Sequence, residues 1–203
     1  MRISVAGRSV DAMWLARRVG VYLAAPGAMV LVVVIGLALS STSHLPRAVT
    51  STSSPTVRAI GEPVSLRIPS LRAKAPVIRI GLRGDVLVPP GNVRTVGWWD
   101  ESAQPGSPTG QSLLTGHAAH AGYSPLNRLK DIRRGATILI SSKDRTQSYH
   151  VQDVFIWSKK KIAKNSVDLF DPDLHDGRMV LVTSAGYDGR KWNANVIVFA
   201  YPN

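Results

Sequence analysis

Residues 181–200, LVTSAGYDGRKWNANVIVFA, have the pattern of two strands joined by a tight turn. Residues 181–183 and 196–199 are largely apolar runs rich in β-branched and aromatic side chains, which favour strands. Glycine and aspartate lie between the runs and are typical of a hairpin turn. Ser184 stands where the first run ends. The stretch therefore predicts a β-hairpin, with Ser184 as either an ordinary turn serine or a nucleophile.

Runs of the same kind recur upstream, from Pro63 onward. They are short and separated by clusters of Gly, Pro, Asn and Asp, and several alternate apolar with polar residues as half-buried strands do. We count about eight candidate strands, and only SPLNRLKDI and NSVDLF have a helical pattern. The runs are PVSLRIPSL, APVIRIGL, GDVLVPP, QSLLTGH, GATILISS, QSYHVQDVFIW, GRMVLVTS and NANVIVFAYP. Many short strands with turns between them predict an all-β sandwich or barrel over residues 63–203.

The N-terminal part has a different composition. Residues 19–39 carry no charged side chain and are long enough to cross a bilayer as a helix. Four arginines against one aspartate precede them, so the positive-inside rule places residues 1–18 in the cytoplasm and the later residues outside. A cleaved signal peptide, with a shorter apolar core, remains an alternative. Residues 40–62 are rich in Ser, Thr and Pro and predict a flexible linker.

Charge and composition restrict the class of partner. The chain has 203 residues, with 25 Lys and Arg against 13 Asp and Glu, a net charge of +12. Such a charge favours anionic binding partners, such as acidic lipids or an anionic wall polymer. Nucleic acid is not favoured, because no aromatic side chains interleave the basic ones. The basic run at residues 158–164, SKKKIAK, predicts a solvated loop or a surface for such anions. There is no cysteine, which excludes disulfides and thiol chemistry.

Three residue types in this pattern could perform nucleophilic chemistry. His117 ends the strand QSLLTGH, Ser184 ends GRMVLVTS, and Arg190 lies in the turn before the last strand. A base, a nucleophile and a cation that stabilises an oxyanion make one possible set. For His117, Ser184 and Arg190 alike, a purely structural role is the alternative to this chemistry. His120 follows His117 by three residues, but without an acidic neighbour the pair does not favour a metal site, and no cofactor is expected.

Four sequence blocks resemble the sortase family, specifically its actinobacterial class F. Residues 63–82 are similar to the family's opening strands, and 88–117 contain a V-P-P…V-G-W-W…P-G…G-H pattern. Residues 124–140 follow as SPLNRLKDIRRGATILI, and the final hairpin is similar to the family's L-x-T-C-G-G…N-V-V-V-F-A ending. The resemblance implies an eight-stranded β-barrel with one or two short helices. It also implies cell-surface transpeptidation, in which a cysteine attacks a Leu-Pro-x-Thr-Gly-like sorting signal and an amine acceptor resolves the acyl-enzyme.

The resemblance also assigns site residues. His117 corresponds to the catalytic histidine, Ser184 to the catalytic cysteine and Thr183 to the residue that flanks substrate. Arg190 is assigned as the functional arginine. The final block departs from the family here, because the position two residues before Asn195 is occupied by Asn193. Apart from the resemblance, His120 is expected to make an accessory hydrogen bond to substrate or to His117. The implied partners are a sorting-signal peptide, an amine acceptor from a cell-wall precursor and, through the N-terminal helix, the membrane; a monomer is expected.

Serine at the cysteine position alters the expected activity. A thiol has an ordinary pKa of about 8.5 and readily yields a thiolate, whereas a serine hydroxyl needs a general base during its attack. We therefore expect weak or absent catalysis. The chain could be a natural pseudoenzyme, an engineered inactive variant or a serine-using relative. A non-catalytic module that binds sorting signals or cell wall is the second hypothesis, and a wall-adhesive domain the third.

Overall fold

The computed structural model describes residues 3–4, 58–84 and 86–203. The predicted membrane helix at 19–39 and most of the predicted linker therefore lie outside the described residues. Within the described ranges, no helix has both the length and the apolar character needed to cross a membrane.

The described residues form short strands and two short helices. The strands are β1 (Ile3–Ser4), β2 (Ser65–Ile68), β3 (Ala73–Ile80), β4 (Leu82–Arg83), β5 (Val86–Leu87), β6 (Val96–Trp99), β7 (Ser112–Gly116), β8 (Thr137–Ser141), β9 (Thr146–Ser158), β10 (Met179–Tyr187) and β11 (Trp192–Pro202); the helices are α1 (Lys159–Lys164) and α2 (Ser166–Phe170). Eight of the strands close into a barrel in the order β10-β11-β9-β8-β2-β3-β6-β7, and the two helices follow β9. This confirms the predicted all-β, eight-stranded barrel.

Of the eight pairs of adjacent strands in the barrel, two are parallel, β3–β6 and β7–β10, and the other six are antiparallel. One rim is therefore formed by the carboxyl ends of β2, β7, β9 and β10 and the amino ends of the other four. We call this the upper rim. Segments 69–72, 117–136, 159–164 and 188–191 lie on it. Segments 100–111, 142–145 and 171–178 lie on the opposite, lower rim.

Alternation along the strands produces two apolar layers. On β10, Met179 and Leu181 point into the barrel and join an inner core, whereas Val180 and Val182 point outward. The outward residues form an outer core with side chains from β7, β11 and the two helices, including Phe170. Burying one such aliphatic or aromatic side chain stabilises a fold by about 1.5–3 kcal/mol. The outer core therefore fixes the helices against the strands that carry the predicted site.

The segment GDVLVPP was predicted as one of the strands of the domain. Its strand β5 lies outside the barrel, in a small sheet of order β1-β5-β4. Ile3 and Ser4 pair there with Leu87 and Val86. Leu87 is 1 % exposed and belongs to the outer core, so this small sheet packs on the same side of the barrel as the helices.

The helices differ in part from the sequence prediction. NSVDLF does form a helix, α2, but SPLNRLKDI forms only a single 3-10 turn at Leu129–Asp131. The basic run at residues 158–164 was predicted as a solvated loop or an anion-binding surface. The loop is wrong, because residues 159–164 form the helix α1, and the contact with anions stays a prediction. The hydroxyl of Ser158 caps this helix by accepting the Lys161 N–H at 3.3 Å, and Ile162 is buried. One apolar anchor and one cap are sufficient here for a six-residue helix.

Candidate active site

The parallel pair β7–β10 brings His117, the residue that follows β7, level with Ser184 of β10. Ser112 pairs with Met179, and the register continues to Thr115 and Val182. The offset of 67 residues that separates Thr183 from Gly116 also separates Ser184 from His117. Adjacent strands lie about 4.8 Å apart. The predicted base and the predicted nucleophile position therefore meet on the upper rim.

Two threonines lock this register. The hydroxyl of Thr115 donates to the Val182 carbonyl at 3.1 Å, and the hydroxyl of Thr183 donates to the Gly116 carbonyl at 2.9 Å. Both threonines are buried. A hydrogen bond of this kind contributes about 1 kcal/mol, and breaking it in a buried site costs more. Thr183 thus has a structural contact that explains its burial, and its predicted contact with substrate stays a prediction.

Ser184 is a buried position on the outer face of the barrel. It follows Val180 and Val182 on that face, and it is 6 % exposed. Its cross-strand partner on β11 is Asn195, which is 5 % exposed. The serine therefore lies just beyond the part of β10 that the outer core covers, next to a neutral amide.

His117 is held in a state suited to accept a proton. Burial lowers the pKa of His117 below its ordinary value of 6.5, and a hydrogen bond to the backbone of Pro90 acts in the opposite direction. Proline offers only a carbonyl, so the imidazole N–H is the donor. The second ring nitrogen of a neutral imidazole is then an acceptor. The ring is therefore suited to be a neutral base at neutral pH. Pro90 belongs to the V-P-P block at residues 88–90, and its contact with His117 was not predicted from the sequence.

Arg190 lies in the turn between β10 and β11. The Asp188 carboxylate organises this turn by accepting the backbone N–H of Arg190 at 2.9 Å and of Lys191 at 2.8 Å. It also accepts the Asn193 side-chain amide at 2.7 Å. These backbone and side-chain hydrogen bonds lower the pKa of Asp188 to about 2. Arg190 is exposed, and its role as the oxyanion arginine stays a prediction.

Asn193 lies on the face of the hairpin that carries Ser184. Ser184 is paired with Asn195, and side chains two apart on a strand share a face, so Asn193 and Asn195 are both near Ser184. The β11 neighbours of the nucleophile position are therefore neutral amides. The sequence analysis gave no role to Asn193 and did not predict which face of the hairpin it occupies. The alternation in NANV is the signal that could have placed it on this face.

His120 belongs to an aromatic stack at the tip of the hairpin. Its ring lies parallel to the Tyr187 ring, at 4.7 Å between centroids and 8° between planes. Tyr187 in turn contacts Trp192 at 5.1 Å. Tyr187 is three residues after Ser184, so its side chain belongs to the other face of β10. The stack ties the loop after His117 to the hairpin, and the predicted substrate contact of His120 stays a prediction.

Comparison with known proteins identifies the family. The family model described as the Sortase domain matches residues 66–203, which is most of the chain. The chain belongs to the sortase family. No curated protein matches it.

The sortase fold is also seen in solved structures. Sortase A from Corynebacterium diphtheriae matches with a TM-score of 0.54 and 20% identity, over 70% of this chain and 61% of that one. Sortase C-1 from Actinomyces oris matches with a TM-score of 0.52 and 20% identity, over 70% and 75%. Sortase C from Streptococcus pneumoniae gives 0.54 and 13%, over 71% and 68%. This sortase thus spans about 61% of the length of the first relative, and at these identities the likeness concerns the fold.

Proposed function

We propose that this chain is a membrane-anchored, class F-like sortase whose cell-surface transpeptidase activity is lost or strongly weakened because Ser184 occupies the nucleophile position. The observation that carries the proposal is the register of β7 and β10, which brings Ser184 beside His117. The substrate class is a C-terminal Leu-Pro-x-Thr-Gly-like sorting signal. The second substrate is an amine acceptor, such as one from a cell-wall precursor.

The reaction proceeds in two acyl-transfer steps. The nucleophile attacks the threonine carbonyl of the signal, the C–N bond to glycine breaks, and the glycine amine leaves with a proton from His117. The acceptor amine then attacks the acyl carbonyl, His117 takes up the amine proton and passes it to the nucleophile, and the bond between the acyl group and the nucleophile breaks. With serine, His117 must remove the hydroxyl proton during the first attack. A neutral His117 can accept that proton, but the oxygen still lacks the reactivity of a thiolate.

The surroundings of Ser184 add a second handicap. Stabilisation of the tetrahedral oxyanion is worth about 10²–10³-fold in rate for a single donor. Asn193 and Asn195, its neighbours on β11, carry no positive charge, and one side-chain amide bond of Asn193 already goes to Asp188. The β11 neighbours of Ser184 therefore offer no cation to the oxyanion, and a serine nucleophile is expected to turn over slowly here.

A non-catalytic binding module is the second candidate, and the same two asparagines favour it. Neutral amides beside a buried hydroxyl can hydrogen-bond the backbone of an extended peptide without promoting acyl transfer. In this alternative the site holds a sorting signal, and the serine replaces a nucleophile that is no longer needed.

The proposed topology places residues 1–18 in the cytoplasm, a helix at 19–39 and the barrel outside. The pairing of Ile3–Ser4 with Val86–Leu87 brings the N-terminus onto the barrel. In the proposed topology the N-terminus and the barrel lie on opposite sides of the membrane, so this pairing and the topology cannot occur together in one molecule. We therefore expect this short pairing to be open in the membrane-inserted chain. Labelling of a Ser4→Cys variant from the outside tests this. Labelling that requires membrane permeabilisation supports the topology, whereas labelling in sealed cells contradicts it.

Turnover of a fluorogenic Leu-Pro-x-Thr-Gly peptide tests the proposed function. We expect little cleavage by the native chain and clear cleavage by Ser184→Cys, because only the thiolate is a competent nucleophile. Ser142→Cys, in the β8–β9 turn of the lower rim, is the matched control for a newly introduced thiol. Peptide binding without turnover in either chain supports the binding module. Fast turnover by the native chain that disappears in His117→Ala would sink the claim that the serine form is weak.

A further inference from the structure

The two rims of the barrel differ sharply in charge. The upper-rim segments 69–72, 117–136, 159–164 and 188–191 carry eleven Lys and Arg side chains and two Asp side chains. The lower-rim segments 100–111, 142–145 and 171–178 carry six acidic side chains and three basic ones, and one of those three, Arg178, is 3 % exposed. Most of the positive charge of the folded domain is therefore concentrated on the rim that carries His117 and Ser184.

Local ion pairs do not remove this positive charge. Asp131 pairs with Arg128 at 3.2 Å, but both side chains are strongly exposed. Arg134 pairs with Asp153 of β9 at 3.1 Å, also at the surface. Exposed pairs of this kind are weak and exchange readily for other partners. Asp188 is bound to its own turn, so it does not neutralise a side chain elsewhere on the rim.

A cavity in the upper rim has the chemistry of an anion site. Its volume is about 640 Å³, and its lining includes Ser70, Arg128, Lys130 and Arg133, with Asp131 as its one carboxylate. Guanidinium groups bind phosphate oxygens through paired N–H donors, and lysine adds a point charge. On the same rim Tyr123 is 53% exposed and Tyr187 is 38% exposed. Tyrosine is favoured where hydrocarbon meets water, because its ring is apolar and its hydroxyl is polar.

We infer that the upper rim docks onto the anionic lipid bilayer in which the chain is anchored, with a lipid phosphate held in the cavity of Arg128, Lys130 and Arg133. Ser184 and His117 then face the membrane surface. The inference rests on the proposed anchoring at residues 19–39 and is independent of catalysis at Ser184. Basic side chains close to an anionic leaflet attract it cumulatively, so the excess of positive charge on the upper rim orients the barrel.

The predicted linker makes this docking geometrically accessible. The described domain begins on the lower rim, where the Ile60 N–H donates to the Pro105 carbonyl at 2.9 Å. The part of the predicted linker that precedes it, residues 40–57, has a root-mean-square span of roughly 23 Å as a flexible Ser/Thr/Pro-rich chain and an extended reach of about 60 Å, so it can pass along the barrel. The barrel is thereby kept within about its own diameter of the bilayer, at a high effective concentration. A weak electrostatic surface is then sufficient to orient it. An anionic polymer of the cell wall is the competing partner, because it carries charge without a bilayer surface.

Site-specific labels on the full chain report the orientation. The chain has no cysteine, so Ala121→Cys on the upper rim and Thr109→Cys on the lower rim each carry one environment-sensitive dye. Both residues are exposed. The chain is reconstituted into phosphatidylcholine vesicles with or without about 30% phosphatidylglycerol. We expect a blue shift of the Ala121 label only with phosphatidylglycerol, reversed by about 0.5 M salt, and no shift of the Thr109 label.

Charge-removing variants identify the surface. Arg128→Gln, Lys130→Gln and Arg133→Gln together should weaken docking at least about tenfold, and Lys159→Gln, Lys160→Gln and Lys164→Gln on α1 form a second, independent triple. The matched control removes the same charge from the lower part of the barrel with Arg58→Gln, Lys143→Gln and Arg145→Gln, and should change docking less than about threefold.

Three outcomes overturn the inference: equal shifts of both labels, no shift with anionic lipid, or equal effects of the rim and control triples. Loss of docking in the presence of a soluble phosphodiester polymer at low concentration assigns the rim to such a polymer instead. Flotation of the chain with phosphatidylcholine vesicles reports the anchoring separately, and peptide turnover reports the proposed function separately.

Discussion

Single side chains decide what the site can do. Ser184 and His117 are the predicted nucleophile position and the predicted base, but the β11 face beside Ser184 carries Asn193 and Asn195. The predicted site thus has no thiol at position 184 and no cation at the two β11 neighbours of that position. Whether either loss alone is sufficient to prevent turnover can be measured separately.

Restoring a cation beside the nucleophile should raise activity further. In the Ser184→Cys background, we expect Asn193→Arg to increase kcat/KM by about 10²-fold, because a guanidinium on this face can stabilise the oxyanion. Asn193→Lys should help less, since it lacks the planar fork. Peptide turnover measures both. No gain from Asn193→Arg, together with a large loss from Arg190→Gln, would contradict this expectation and assign the arginine role to Arg190, as the sequence predicts.

The depressed pKa of His117 should be visible in the stability of the protein. Above pH 6.5 the imidazole is neutral in both states and contributes nothing. As the pH falls below 6.5, the unfolded chain takes up a proton that the buried ring resists, so the folded state loses stability. We expect His117→Gln to lose less stability than the native chain between pH 7 and pH 5, two values that lie on either side of the ordinary pKa. Equal losses in urea unfolding at the two pH values would refute this.

At the scale of elements, the β10–β11 hairpin shows how one carboxylate fixes a turn. Asp188 lies at the end of β10 and binds two backbone N–H groups and one side-chain amide. The turn determines where Asn193 lies relative to Ser184. A change at Asp188 therefore affects the site through the shape of the hairpin.

Removing this carboxylate should open the hairpin end. We expect Asp188→Ala to accelerate amide hydrogen exchange at Arg190 and Lys191, which lose their acceptor, and Asp188→Asn to preserve most of the protection. The native contribution is fully present above the ordinary pKa of 3.8 and is lost as the pH falls through about 2. Unchanged exchange in Asp188→Ala would show that the turn is held by other contacts.

Elements with a clear sequence pattern were predictable, and those without one were not. Alternation located β2, β3 and β8 because each buries one face. The strand β6, VGWW, is buried on both faces and shows no alternation, so it was missed. Three consecutive lysines concealed α1, whose stability depends on its cap at Ser158 and on the burial of Ile162. The parallel pairing of β7 with β10 joins distant parts of the chain, and only the family resemblance indicated that His117 and Ser184 meet.

At the scale of the whole molecule, a single tyrosine couples the barrel to its lower rim. The hydroxyl of Tyr149, on β9, accepts the Gly106 N–H at 2.6 Å. The residue is fully buried, and burial raises the pKa of Tyr149 to about 12. The segment 100–111, which connects β6 to β7, is held by this contact. The contact lies at the opposite end of the barrel from Ser184 and therefore probes the fold independently of the site.

Deleting this hydroxyl should destabilise the fold without altering the site. We expect Tyr149→Phe to lower the free energy of unfolding by about 1–3 kcal/mol, because the Gly106 N–H loses its buried acceptor. Urea unfolding measures the loss. Peptide binding at temperatures where the variant is folded should be unchanged. A loss below about 0.5 kcal/mol would mean that water replaces the hydroxyl.

The most direct test of the account is intact-protein mass spectrometry after incubation with a Leu-Pro-x-Thr-Gly peptide and no acceptor amine. We predict that Ser184→Cys gains the mass of the acyl fragment up to threonine, that His117→Ala in the same background abolishes the adduct, and that the native chain and Ser142→Cys gain nothing. An acyl adduct on the native serine, or no adduct on either Ser184→Cys or Ser184→Cys/Asn193→Arg while peptide binds, would contradict the assignment of Ser184 to a disabled nucleophile position.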